Sequence, residues 1–97
     1  MASRQLQEIL DELAWIRRGV DELAERWAVD HDEAKVIQGL DELSAASAAY
    51  PSIEGLLFGA ARLIERGEPA SRRLEKLSDH LHGYTVGWED AAQAGST

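Results

Sequence analysis

A heptad pattern near the N-terminus restricts this chain to a helical fold more strongly than any of its other features. Apolar side chains recur there at alternating spacings of three and four, at Leu6, Ile9, Leu13, Ile16, Val20, Leu23 and Trp27. This spacing places them all on one side of an α-helix, where they can pack along the length of other helices. The pattern predicts a long first helix whose core seam consists of these residues.

The helical pattern of the sequence is interrupted after this helix, near residues 28–30. Asp30 and Glu33 have the D-x-x-E spacing of a capping box, in which side chains bond the free backbone N–H groups at a helix start. Val29 precedes the pair and is placed to pack on Ala34 as a hydrophobic staple. We therefore predict that a second helix starts at Asp30.

Proline and glycine mark the limits of the next two helices. The residue before Pro51 is disfavoured in the helical conformation, so the third helix is expected to start after this proline. Gly67 follows the last apolar position of that helix and is a suitable C-terminal residue. The fourth helix, with Pro69 in its first turn, is predicted to extend to about residue 92, and an earlier end at Gly83 is the alternative.

These elements predict an all-α protein, a small antiparallel bundle of about four helices with a long heptad-patterned first helix. A first helix of about 25 residues spans about 37 Å, whereas the third spans only about 21 Å. Part of the long helix would then lack cover within the chain, and a second copy could supply it. We therefore expect an oligomer, with residues 1–93 as one domain and residues 94–97 as a disordered tail.

Two apolar surfaces are candidates for contacts with other proteins. Trp15 lies outside the seam, and Gly19, one turn later, leaves flat space beside its ring. Phe58 shares one side of the third helix with Gly55 and Gly59. An exposed Trp is a typical hot spot of an interface, and two such glycines destabilise a helix, so a close helix crossing would explain them. The competing interpretation is that both surfaces are covered within a monomeric core.

The charge of the chain argues against direct binding of nucleic acid. Its formal net charge is −8, with 18 acidic and 10 basic side chains. Affinity for phosphate groups comes largely from clustered Lys and Arg, which this composition does not favour. The excess of acid before residue 50 suggests an alternative function, an inhibitor that mimics nucleic acid and binds a basic partner protein. Solubility is a simpler explanation of the same charge.

The sequence holds few residues arranged for catalysis. It has no cysteine, no G-x-S-x-G turn and no phosphate-binding glycine loop. Asp79 and His82 lie one helical turn apart, but metal sites in helical bundles use two such pairs with further carboxylates. A metal-dependent bundle enzyme is therefore only a minor alternative, and we predict no cofactor and no resident metal.

These observations favour a non-enzymatic protein-interaction module, such as an adaptor, an assembly factor or a small regulatory subunit, that self-associates through helix packing. Its expected partners are proteins, including further copies of itself, rather than nucleic acids. A membrane span needs roughly 18 or more apolar residues in a row, and no segment of the chain approaches this length. The N-terminus has no apolar signal core, so we expect a cytoplasmic protein.

Overall fold

A computed structural model describes residues 4–95, and these form four α-helices joined by short turns. Helix α1 spans Arg4–Asp30, α2 spans Glu33–Ala46, α3 spans Pro51–Glu65 and α4 spans Ala70–Gly95. No strand occurs in this part of the chain. The predicted all-α fold is therefore confirmed, with the predicted number of helices.

The four helices form a ring, because α1 packs on α2 and α4 and α3 packs on the same two helices. The contact of α1 with α4 is extensive, as is that of α2 with α3, whereas the other two contacts are smaller. Short turns reverse the chain between successive helices, so neighbours run antiparallel. The molecule is elongated, measuring 47 × 21 × 18 Å.

One apolar core fills the centre of the ring. In the predicted seam of α1, the central residues Leu13, Ile16, Val20 and Leu23 are buried, whereas Leu6, Ile9 and Trp27 near the ends are half-buried. Each fully buried aliphatic side chain of this kind contributes about 1.5–3 kcal/mol to folding. The other helices contribute the rest of the core, which consists of Val36, Leu40, Leu43, Ile53, Leu57, Ala60, Ala61, Ile64, Ala70, Leu74, Leu77 and Leu81.

Small hydroxyl side chains reach the core without an unsatisfied polar group. Ser47 donates a hydrogen bond of 2.8 Å to the carbonyl of Leu43, within one turn of chain. The hydroxyl of Ser44 donates across the helix pair to the carbonyl of Glu54 at 2.9 Å. The small side chains at these positions let α2 and α3 approach closely. The hydroxyls can be buried there because each one donates to a backbone carbonyl.

The turn between α1 and α2 differs from the prediction. Helix α1 continues through Asp30, and His31 then turns the chain with a left-handed φ of 53°. The N-cap of α2 is Asp32, whose carboxylate accepts a hydrogen bond of 3.3 Å from the backbone N–H of Lys35. Val29 is 85% exposed, which contradicts its predicted role as a staple. Asp30 and Asp32 are both suitable caps by residue type. The D-x-x-E spacing predicted Asp30, which is wrong, because Asp32 caps the helix.

Helix α3 starts at Pro51 itself, since proline suits the first turn of a helix, and it ends at Glu65, just before the predicted glycine. Gly67 has a left-handed φ of 107°, and its N–H donates to the carbonyl of Ile64 at 3.0 Å. The N–H of Glu68 donates to the carbonyl of Leu63 at 3.1 Å. These two bonds form a Schellman motif, which satisfies the last carbonyls of the helix.

Helix α4 runs through Gly83 and on to Gly95, so the predicted alternative of an earlier end is wrong. Ala94 and Gly95 are helical, although the sequence analysis placed them in a tail. Residues 96 and 97, the rest of that expected tail, lie outside the described residues.

An ion pair at the start of α4 predicts a pH-dependent contribution to stability. The guanidinium of Arg73 donates to both carboxylate oxygens of Glu68 at 2.7 and 2.8 Å, and this hydrogen bonding lowers the pKa of Glu68 below its ordinary value of 4.5. A lowered pKa in the folded state means that the contribution is present above the unfolded pKa and is lost as the pH falls through the folded one. Glu68→Gln should therefore lower the thermal midpoint at neutral pH and match the parent in strong acid.

Thermal melts followed by circular dichroism in a series of buffers from about pH 7 to about pH 2 would measure this difference, because the range spans the carboxyl titration. Glu75→Gln is the matched control, since Glu75 is exposed on α4 near Arg73 in the sequence and makes no ion pair within the described residues. If the midpoints of both variants differed from the parent by the same amount at every pH, the pair would have no specific role.

Candidate functional site

Several large apolar side chains remain exposed on the bundle. Among residues 4–95 these are Trp15, Val29, Phe58, Leu63, Tyr84, Val86 and Trp88. The aromatic members lie on three separate surfaces, and each surface adjoins a depression between helices. Exposed aromatic side chains beside a depression are typical of sites that bind another protein.

The first surface is the Trp15 groove, a depression of about 360 Å³ between α1 and α2. Trp15 is 47% exposed, so the bundle leaves a large part of its ring in contact with solvent. The chain therefore covers this side chain only in part. The other lining residues are Gly19, Glu22, Leu23, Arg26, Gly39, Glu42 and Leu43.

The glycines of the Trp15 groove serve the contact between α1 and α2. A Cβ atom on Gly19 would lie 2.8 Å from Cδ2 of Leu43, and one on Gly39 would lie 2.4 Å from Cδ2 of Leu23. Both glycines thus make room for a leucine of the opposite helix. Gly19 is a predicted residue of an interface with another chain, but the structure explains this glycine by a contact within the chain. Gly39 was not predicted to have a role, although a glycine inside the apolar pattern of α2 was a signal of a close approach.

The second surface is the Phe58 face, which comprises Gly55, Phe58, Gly59 and Arg62 on α3. Phe58 is 51% exposed, and the guanidinium of Arg62 lies 4.6 Å from the centre of its ring. Arg62 also forms an ion pair of 2.7 Å with Asp41. Its charge is therefore shared between the aromatic ring and a neighbouring helix, which fixes the guanidinium over Phe58.

The two predicted glycines of the Phe58 face meet no neighbouring atoms. A Cβ atom on Gly55 or Gly59 would have no atom within 4 Å among the residues that the structure describes, leaving out the local helix backbone. No close crossing within the described chain therefore explains them. Contact with a second molecule remains a proposal for both positions.

The Trp15 groove and the Phe58 face lie on opposite sides of α2. The groove opens between α1 and α2, whereas Phe58 lines a depression shared by α2 and α3. The structure does not bring the predicted interface residues together, so they form two sites rather than one.

A third surface, which we name the end pocket, was not predicted from the sequence. It encloses about 230 Å³ where the turn between α2 and α3 meets both long helices. Trp88 is 39% exposed beside it. No charged residue lines this pocket, and its lining consists of Ile9, Ala49, Tyr50, Pro51, Ser52, Ile53, Tyr84 and Trp88. Tyr84 and Trp88 have the spacing of core residues, so their exposure to solvent could not be predicted from the sequence.

Most carboxylates of α1 form no ion pair within residues 4–95. In residues 4–95, Asp30 is the only α1 carboxylate that forms an ion pair. The same part of the chain contains no group of three or more His, Cys, Asp or Glu side chains that could hold a metal ion. Asp79 and His82, the candidates for a metal-dependent enzyme, therefore belong to no such group.

No helix within residues 4–95 is both long enough and apolar enough to cross a membrane. Comparison of the chain with protein families, with curated proteins and with solved structures gives no match. The geometry of the three surfaces is therefore the basis for a functional proposal.

Proposed function

We propose that this chain is a non-enzymatic protein-interaction module that self-associates through helix packing, and that it serves as an adaptor, an assembly factor or a small regulatory subunit. One observation carries the proposal. The bundle leaves Trp15, Phe58 and Trp88 between 39% and 51% exposed, each beside a depression between helices. Exposing large aromatic side chains to water is unfavourable. A partner that covers them removes apolar area from water, and this burial stabilises the complex.

Sedimentation equilibrium over a wide range of concentrations tests this function. A single chain has a mass of 10.7 kDa, and the apparent mass should rise above this value as the concentration increases. Because apolar contacts carry the association, it should persist in about 0.5 M salt, where exposed charges are heavily screened. A mass that stayed at the monomer value at every concentration would contradict self-association.

A second candidate function is supported by the carboxylates of α1. Their missing ion pairs leave an acidic helix face, and the net charge of −8 would attract a basic protein over long range. This is the property that an inhibitor mimicking nucleic acid requires. Arg18 and Arg26 lie among these carboxylates and interrupt the acidic face, so we rank this function second. Association with a basic protein would be released by about 0.5 M salt, unlike the apolar association proposed above.

A further inference from the structure

The two pairs of helices in the bundle differ greatly in length. Helices α1 and α4 contain 27 and 26 residues, whereas α2 and α3 contain only 14 and 15. At 1.5 Å per residue the long pair spans about 40 Å and the short pair about 22 Å. The hairpin formed by α2 and α3 can therefore cover little more than half of the long pair.

The uncovered part of the long pair lies at one end of the molecule. Helix α2 starts three residues after the last residue of α1, so the hairpin is aligned with the C-terminal end of α1. Its tip, the turn between α2 and α3, meets Ile9 on α1 and Tyr84 and Trp88 on α4. Beyond this tip the two long helices continue together, and we name residues 4–9 and 84–95 the overhang.

The overhang continues the apolar row of the core past the end of the hairpin. Leu77 and Leu81 are buried, and the same helical spacing then leads to Tyr84, Trp88 and Ala91. These three side chains are exposed. Tyr84 and Trp88 meet only the first turn of α3 across the end pocket, and Ala91 is not among the residues that line this pocket. The sequence therefore provides core-type residues for longer than the chain itself can cover them.

We propose that a second copy of the chain covers this row, with the two overhangs packed antiparallel about a two-fold axis. Each overhang is a pair of helices, as the α2–α3 hairpin is. On the other copy it packs beyond the tip of the hairpin and covers the long helices there, as the hairpin covers them elsewhere. Four helices then surround one continuous core, and the tip of each overhang reaches the end pocket of its partner. The contact is isologous, so every residue of the surface is used once by each copy. This inference rests on the proposed function, since it names the partner and the surface of self-association.

The size of the overhang supports a weak dimer of this kind. Its α4 segment of 12 residues, 84–95, is about 18 Å long, and the two helices side by side are about 20 Å wide. A face of these dimensions is about 360 Å² per copy, roughly half of what each partner buries in a standard specific interface and in the range of weak, transient contacts. We therefore expect a weak dimer that exchanges with the monomer.

A charge placed on the overhang tests the inference. Ala91 is exposed and lies near the middle of the overhang, so Ala91→Arg would bring two positive charges and two long side chains together across the axis. The dimer dissociation constant should rise at least about tenfold. Ala34→Arg is the matched control, because Ala34 is an exposed helical alanine at the start of α2, at the opposite end of the hairpin from its tip. This control should dissociate like the parent, and both variants should keep the parent's helix content.

Disulfide cross-linking tests the geometry independently. The chain has no cysteine, so a single Cys introduced at Ala91 can form a disulfide only with a second copy. Because a two-fold axis near the middle of the overhang brings the two copies of residue 91 close together, Ala91→Cys should give a covalent dimer under mild oxidation. Ala34→Cys at the same concentration should remain mainly monomeric, because Ala34 is exposed at the start of α2, away from the hairpin tip.

The outcomes separate this inference from the proposed function. A parent that is monomeric at every concentration would overturn both. A parent that dimerises, resists Ala91→Arg and dissociates when Trp15→Ala or Phe58→Ser is introduced would retain self-association but overturn the overhang as its surface. Dissociation by Ala91→Arg alone, together with cross-linking at residue 91, is the result that we expect.

Discussion

Leu57→Ala should lower the free energy of unfolding by about 3 kcal/mol, which is a large part of the stability of a chain of this size. Leu57 lies on α3 and is completely buried in the core. Removing its branched end leaves a cavity among residues of the other helices, and the tightly packed neighbours can fill it only in part. Urea denaturation followed by circular dichroism would measure the change.

Leu63→Ala is the control for this prediction, because Leu63 lies on the same helix but is 37% exposed. Its loss should cost about 1 kcal/mol or less, since exposed positions lose little apolar contact. Both measurements need a protein concentration at which the parent is monomeric, because association would add to the apparent stability. Equal losses at the two positions would contradict the placement of the core on this side of α3.

Gly39→Leu should lower the free energy of unfolding by about 2–3 kcal/mol, although leucine favours helices more than glycine does. A Cβ atom at residue 39 would lie 2.4 Å from Cδ2 of Leu23, which is itself buried. The new side chain would push α2 away from α1 and disturb the core where the two helices cross. Urea denaturation gives the loss, and amide chemical shifts along both helices would show its location.

Gly59→Leu is the matched control for this second prediction. Residue 59 also lies inside a helix, but a Cβ atom there meets nothing within 4 Å among the described residues, leaving out the local helix backbone. The variant should be as stable as the parent or more stable by up to about 1 kcal/mol, because a glycine inside a helix is replaced by a good helix former. A stable Gly39→Leu protein would show that Leu23 moves aside freely and that the crossing is not tightly fixed.

The helices themselves could be predicted because their signals are local. The apolar spacing on α1 and the glycine after the last apolar residue of α3 each act within a few residues of chain. The structure has a helix at the first place and a helix C-cap at the second. The start of α2 could not be predicted as reliably. Two aspartates two residues apart compete for the capping position there, and the choice depends on how His31 turns the backbone.

The surfaces depend on which helices become neighbours, and a local pattern does not contain this information. Gly19, Gly55 and Gly59 look alike in the sequence, yet only Gly19 faces a side chain of another helix. Tyr84 and Trp88 continue the apolar period of α4, and only the length of a different part of the chain determines that they are exposed. Trp15 and Phe58 were correctly placed outside the stripes of their helices, but their separation by α2 required the tertiary structure.

Both connections of the short hairpin lie at the same end of the molecule. The α1–α2 turn and the α3–α4 turn lie near a depression that Trp27 of α1 and Ser71 of α4 line together. The tip of the hairpin has no covalent link to either long helix. With small contacts from α2 to α1 and from α3 to α4, the hairpin is the part of the fold most easily detached as a unit. Local unfolding of this protein would therefore move the hairpin away from α1 and α4 as one unit, with hinges at the turns that contain His31 and Gly67. This motion would expose the whole apolar interior at once.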